Sequence, residues 1–181
     1  MSAVVLSPYS DNWPQNFERI RAEVLGVFDD AAVDDEPVNL QHIGSTAVPG
    51  RCAKPVIDVL LGAASLARIE AKIAALGALG YGYVAKYERE LPMRRYFVRA
   101  EEGERLRVHL HGVVLGSPIW REHLAVRDAL CIDPALRDRY AALKTELAQR
   151  HADDKAAYTD AKAPFIRSVM DAALATNPAT P

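Results

Sequence analysis

The 181-residue chain has only two cysteines, Cys52 and Cys131, too few and too far apart for a disulfide framework or a cysteine-based zinc site. Both are expected to be reduced thiols. No apolar run reaches the length of about 18 residues that would suggest a membrane span. The opening segment Met-Ser-Ala-Val-Val-Leu-Ser-Pro lacks both a basic stretch and a cleavage-type site. These absences predict a cytoplasmic protein with no membrane partner. Neither charge sign dominates: 22 Lys and Arg against 24 Asp and Glu leave a net charge of −2, which gives no global attraction to nucleic acid. No Gly-x4-Gly-Lys-Ser/Thr phosphate loop occurs, so P-loop kinase chemistry is excluded. Internal repeats, linkers and low-complexity blocks are also missing. The expectation is one domain over residues 1–175, followed by a disordered tail at 176–181.

What is present sorts by periodicity. Trp13, Phe17, Ile20, Val24, Val27, Phe28 and Ala31 recur every three to four residues and predict an amphipathic helix over 11–33, with Asp11 as cap and Pro14 in the first turn. Short strands are expected at 38–43 and 56–61, then a helix capped by Ser65 and a strand at 81–85. The charged stretch 86–95 reads as a mobile flap or loop. Two strands follow, at 96–100 and 106–115. Ser117-Pro118 and Asp133-Pro134 then each open a helix, and a last helix carries Tyr158, Ala161, Phe165, Val169 and Ala172. The fold class is α+β or α/β: a mixed sheet with helices packed on it and a helical C-terminal third.

The chain is organised around residues 41–61, where an apolar run breaks at Gly44-Ser45-Thr46 and resumes around one acid, Asp58. Gly44 allows close backbone approach to a ligand, Ser45 and Thr46 add hydroxyls, and Pro49, Gly50 and Pro55 fix the path of the loop. A tight turn with capping hydroxyls is the plainer reading. With Lys54 nearby, phosphate or other anion binding is the functional one. Asp58 sits among aliphatic residues, where an unpaired charge would be costly, so it needs a partner.

His42-Ile-Gly-Ser-Thr-Ala-Val-Pro-Gly50 followed by Ala53-Lys-Pro-Val-Ile-Asp58 resembles the signature of the GrpB family, in the nucleotidyltransferase-like superfamily. The resemblance continues through His109-Leu-His111, Trp120, Arg127-Asp128, Tyr140, Leu143-Lys144, Tyr158, Lys162 and Phe165-Ile166, over roughly residues 8 to 175. It implies a small mixed sheet flanked by helices, with a nucleotide or other phosphorylated small molecule as partner. Active members of the superfamily hold a divalent metal on an Asp-x-Asp or Asp-x-Glu pair. Here Asp58 matches the first acid, but the position two residues on is Leu60.

His109 and His111 leave one face of a strand, and next to Asp58 they would add two imidazoles to one carboxylate. Three readings stay open: metal ligands for Mg²⁺, Mn²⁺ or Zn²⁺, ligand contacts without metal, or a structural polar cluster. Arg95, directly before a strand, is the candidate phosphate clamp. The predicted site is therefore Gly44, Ser45, Thr46, Lys54 and Arg95 for the ligand, Asp58 as catalytic acid, and Asp58, His109 and His111 for a metal. The resemblance also implies a non-catalytic alternative. Domains of this kind occur fused to dephospho-CoA kinase, so the chain could be a binder or an accessory partner of a coenzyme A enzyme.

Overall fold

A computed structural model describes residues 6–29, 37–50, 52–103 and 105–176. The end of the helix expected over 11–33, from residue 30 on, lies outside these residues, as do Arg51, Glu104 and the tail from 177.

Among the described residues five strands, β1 (Asn39–Ile43), β2 (Val56–Ala63), β3 (Gly82–Tyr83), β4 (Arg94–Arg99) and β5 (Arg107–Val114), form one sheet in the order β1-β2-β5-β4-β3. β2 and β5 run parallel at its centre, and the other pairings are antiparallel. Among the described residues six α-helices accompany it: α1 (Asn12–Val27), α2 (Leu66–Glu70), α3 (Ile73–Ala78), α4 (Pro118–Ile132), α5 (Pro134–Arg150) and α6 (Lys155–Thr176). The mixed sheet and the helical C-terminal third match the expected fold class. The predicted strand at 81–85 shrinks to two residues, and the single helix expected after Ser65 is two short ones.

Burial explains this order. β2 is buried almost without interruption from Ile57 to Ala63, as a central strand covered on both faces should be. On one face Ile57, Val59, Leu61, Val108, Leu110 and Phe97 pack with Trp13, Phe17, Ile20 and Val24 of α1 and with Ile69 and Leu76 of α2 and α3. On the other, Ile43, Leu60 and Val113 pack under Trp120 of α4. α4 approaches closely at Gly62, where a β-carbon would stand 2.7 Å from both Leu115 Cδ1 and Trp120 Cζ3. A third cluster, Val48, Leu130 and Tyr140 with Phe165 and Ile166, ties the loop after β1 to α4, α5 and α6.

Most local signals act as expected. Ser65, Ser117 and Asp133 accept the hydrogen bonds of Arg68, Trp120 and Leu136 N–H, and Pro118 and Pro134 open their helices. Asp11 does not cap α1 through its side chain; instead Ser10 Oγ accepts from Asn12 N–H. The segment 86–93 is tied rather than bare, because the Tyr83 hydroxyl donates to Glu88 and Glu88 pairs with Arg95 at 3.7 Å.

Candidate functional site

Register decides which side chains meet. Asp58 lies opposite His109, and Leu60 opposite His111, across the parallel β2–β5 pair. Tyr96 lies opposite His111, and Arg94 opposite Val113, across β5–β4. One sheet face, on the α4 side, therefore carries Asp58, His109, His111, Tyr96 and Arg94.

Asp58 Oδ1 stands 3.3 Å from His109 Nδ1 and 3.8 Å from His111 Nε2. On the far side of His111, Arg94 Nη1 lies 3.3 Å from Nδ1. A guanidinium only donates, so His111 Nδ1 accepts and the ring hydrogen sits on Nε2, facing the carboxylate. Burial alone would raise the Asp58 pKa, but its hydrogen bonds to His109 and His111 hold it well below the usual carboxylate range. Burial also lowers the pKa of His111 and pushes that of His123, 5.8 Å away ring to ring on α4, down to about 4. At neutral pH Asp58 is thus ionised and His111 and His123 are held uncharged, with Arg94 behind His111.

The loop that borders Asp58 is fixed from several directions. Gly44 has φ of +71°, and a β-carbon there would meet Asp58 Oδ2 at 2.4 Å, so the close approach this glycine permits is to the carboxylate itself. His42, on the opposite sheet face and stacked on Phe17, reaches Thr46 Oγ1 at 3.0 Å through Nε2, and the Thr46 hydroxyl donates to Val56 O at 3.0 Å. Thr46 is 1% exposed, with both hydrogen-bonding roles in use. The prediction that it binds ligand is therefore corrected: it braces the loop. Ser45 is half-buried, its hydroxyl 3.4 Å from the Tyr140 hydroxyl. From the helices, Arg127 donates to Gln41 and to His42 O, and Lys144 Nζ donates to Cys52 O at 2.7 Å.

Arg95 is the second correction. Strand alternation turns it to the α2 face, where it pairs with Glu70 at 2.6 Å and donates to Pro92 O. Arg94, one residue earlier, holds the position on the Asp58 face. Nothing in the sequence distinguishes the two arginines until the register of β4 is known. Lys54 lies with its Nζ 4.3 Å from the Tyr158 ring centroid, on the helical side of the loop.

Other side chains of this region were not among the predicted set: Arg94, Tyr96, His123, Tyr140, Lys144 and Lys162. For two of them a signal existed. Lys144 continues the stripe Tyr140, Leu147, and Lys162 stands one turn after Tyr158; a lysine in an apolar stripe is a buried or cleft-facing charge.

The donor set bears on the metal expectation. Among the described residues no group of three His, Cys, Asp or Glu is arranged to hold a metal ion. Leu60 is fully buried against Ile43, Val113 and Trp120, so the place of a second acid is a core position. The residues do not fit a resident two-carboxylate site. A Mg²⁺ ion arriving with a phosphate ligand makes a smaller demand, because it needs one or two carboxylates and takes its other ligands from phosphate and water. Ionised Asp58, 28% exposed, fits that requirement.

A mixed sheet with a Gly-Ser loop leading to a strand acid, closed by C-terminal helices, is consistent with a nucleotidyltransferase-like fold. Comparison with known proteins gives the family: the GrpB protein family matches residues 3–172, and the chain belongs to it. A glutamate-rich protein GrpB of Alkalihalophilus pseudofirmus is 29% identical over 171 residues, covering 93% of this chain and 94% of that one. A UPF0157 protein of Deinococcus radiodurans is 32% identical over 169 residues, 93% of this chain and 81% of its own length. A dephospho-CoA kinase of Mycolicibacterium paratuberculosis is 30% identical over 187 residues; the match takes in 91% of this chain but 44% of the kinase. The crystal structure of conserved protein GrpB from Enterococcus faecalis superposes with a TM-score of 0.83 at 27% identity, covering 97% of this chain and all of that one. No described helix is long and apolar enough to cross a membrane.

Proposed function

We propose that the cleft between the Asp58 face of the sheet and the C-terminal helices binds a nucleotide or another phosphorylated small molecule, accompanied by a divalent ion. One observation carries this reading: Asp58 is kept ionised by His109 and His111 at the edge of a glycine-serine loop. Ser45 and the adjacent loop amides offer hydrogen bonds to phosphate oxygens. An ion bound with the ligand would neutralise phosphate charge next to the carboxylate. His109 and His111 orient Asp58, and Arg94 fixes the ring state of His111.

Binding without turnover is favoured over nucleotidyl transfer because Leu60 occupies the second acid position and is sealed by Trp120. The relation to a dephospho-CoA kinase supports adding dephospho-coenzyme A and coenzyme A to the ligand panel, and an accessory role beside such an enzyme is the second reading.

The test is a thermal-shift and calorimetric screen of the four nucleoside triphosphates and the two coenzyme A species, with Mg²⁺, Mn²⁺ or Zn²⁺, on the native chain and on Asp58→Asn. Native-state binding raises the melting temperature by an amount that grows with the logarithm of ligand concentration over Kd. The expected result is metal-dependent stabilisation that Asp58→Asn removes, without pyrophosphate release. No stabilisation at millimolar ligand, or equal stabilisation of Asp58→Asn, overturns the reading. Pyrophosphate release by the native chain would replace binding with transfer.

A further inference from the structure

α4, the start of α5 and the C-terminal half of α6 enclose an open groove of about 1060 Å³. α4 serves two surfaces. Trp120 packs on the sheet and the His123 ring lies 5.8 Å from that of His111, whereas Ala125, Ala129 and Ile132, spaced i, i+4, i+7, line the groove. α6 faces them with Phe165, Val169 and Ala172 at the same spacing. Ile132, the last residue of α4, stands at the edge of this groove with 80% of its surface exposed, more than any other large apolar side chain among the described residues. A single exposed isoleucine needs no explanation, but one that projects beside an unfilled apolar groove extends a patch of the kind that monomers rarely leave in water.

The charges on the lining divide into engaged and unengaged. Asp128 pairs with Arg127 at 2.7 Å, and Asp133 accepts the Leu136 N–H as a helix cap. Among the described residues no ion pair or side-chain hydrogen bond engages Arg121, Glu122 or Arg139. This surface therefore holds a knob beside a hole and unengaged charge of both signs. A twofold interface sets one patch against itself, so it must carry both halves of every contact, and this patch does. A small apolar ligand would fill the groove and leave Ile132 in water. An anionic partner would use the two arginines and meet Glu122 as a repulsion. Size agrees with a second copy: the eighteen residues of the lining approach the about 20–30 per side of a standard interface.

We infer that the groove between α4 and the C-terminal half of α6 is the interface of a twofold homodimer. Ile132 of each copy enters the groove of the other, and Glu122 of each meets a rim arginine of the other. The arrangement is that of an ordinary interface, with aliphatic and aromatic side chains at the centre and charge at the rim. It lies on the far side of α4 from Asp58, so it holds whatever the Asp58 cleft binds.

The experiment is sedimentation velocity on the full chain from about 1 to about 200 µM, a range that brackets a micromolar Kd. The native chain should pass from monomer to dimer within it. Ile132→Asp should raise the dimer Kd at least about tenfold, and Ile132→Val should stay within about threefold. Because Ile132 is 80% exposed, Ile132→Asp should melt within about 2 °C of the native monomer, so lost association is not lost folding. Glu122→Arg should weaken the dimer about threefold or more, since each twofold contact counts twice. Hydrogen exchange of the native chain at the two ends of the concentration range needs no variant, and the added protection should fall on residues 118–132 and 165–176. A native chain that stays monomeric throughout overturns the inference, as does a dimer that Ile132→Asp leaves intact or whose protection lies elsewhere. Undiminished association by Glu122→Arg overturns the charge contact. A monomeric native chain whose melting temperature laurate raises would give the groove to a small apolar ligand instead, and the dimer would fall.

Discussion

Gly44 and Asp58 are packed so closely that a β-carbon on the glycine would stand 2.4 Å from Asp58 Oδ2. Gly44→Ala must therefore displace the carboxylate while adopting a backbone conformation that L-residues resist by about 1–2 kcal/mol. The expected total is about 3 kcal/mol of lost stability, a fall in melting temperature of about 6–12 °C for a chain of this size. Metal-dependent ligand binding should be lost as well. A variant that melts like the native chain and binds normally would refute this account of the loop.

The two neighbouring arginines should separate cleanly. Arg95→Met breaks the pairing with Glu70 on the α2 face and should cost about 1 kcal/mol while leaving ligand affinity within twofold. Arg94, whose buried Nε lacks a partner among the described residues, should behave in the opposite way. Arg94→Met is expected to keep or gain stability and to weaken binding about tenfold through the freed His111 ring. Affinity measured for both variants decides the matter; the reverse pattern would place the ligand on the wrong sheet face here.

Restoring the second acid should fail. Leu60→Asp puts a carboxylate into a fully buried position against Ile43, Val113 and Trp120, at a cost of about 3–5 kcal/mol. Chemical denaturation should show that loss, and pyrophosphate release should not appear. A stable Leu60→Asp variant that gains transfer activity would show that the position opens to the cleft after all.

Acid should destabilise the fold before any carboxylate titrates. Burial drives the pKa of His42 and of His123 down to about 4 in the folded chain, against about 6.5 when unfolded. Between these values the unfolded state binds more protons, so stability falls as pH drops from about 6.5 to about 4 and this contribution flattens below that. At about 1.4 kcal/mol per pKa unit, the two groups together set an upper bound of about 7 kcal/mol. Asp58 acts in the same direction at lower pH, since its depressed pKa contributes stability that is lost only as pH falls below about 4. Urea denaturation from pH 7 to 4 checks this, and His123→Phe should remove about half of the slope. An unchanged slope would mean that His123 is protonated in the fold.

The fold was legible wherever a signal repeats along the chain. Stripes of apolar residues located the long helices, and Ser117-Pro118 and Asp133-Pro134 marked where two of them begin. The loop and its acid were legible because a glycine and a charge interrupt an aliphatic run. Short elements were harder. The strand at Gly82–Tyr83 and the break between α2 and α3 depend on what lies across from them, which no local pattern encodes.

The sequence by itself determined the element types, the family signature and the shared face of His109 and His111, because these follow from periods of two and 3.6 residues and from motif spacing. Tertiary structure alone decided three things. Strand register set Asp58 against His109 and turned Arg94 rather than Arg95 toward them, since a shift of one residue exchanges the faces of a strand. Packing of α4 made Leu60 a core residue, and packing of α5 set Tyr140 beside Ser45. Contacts between residues about a hundred positions apart come from the burial of whole faces, so the neighbours they create are visible only once those faces have met.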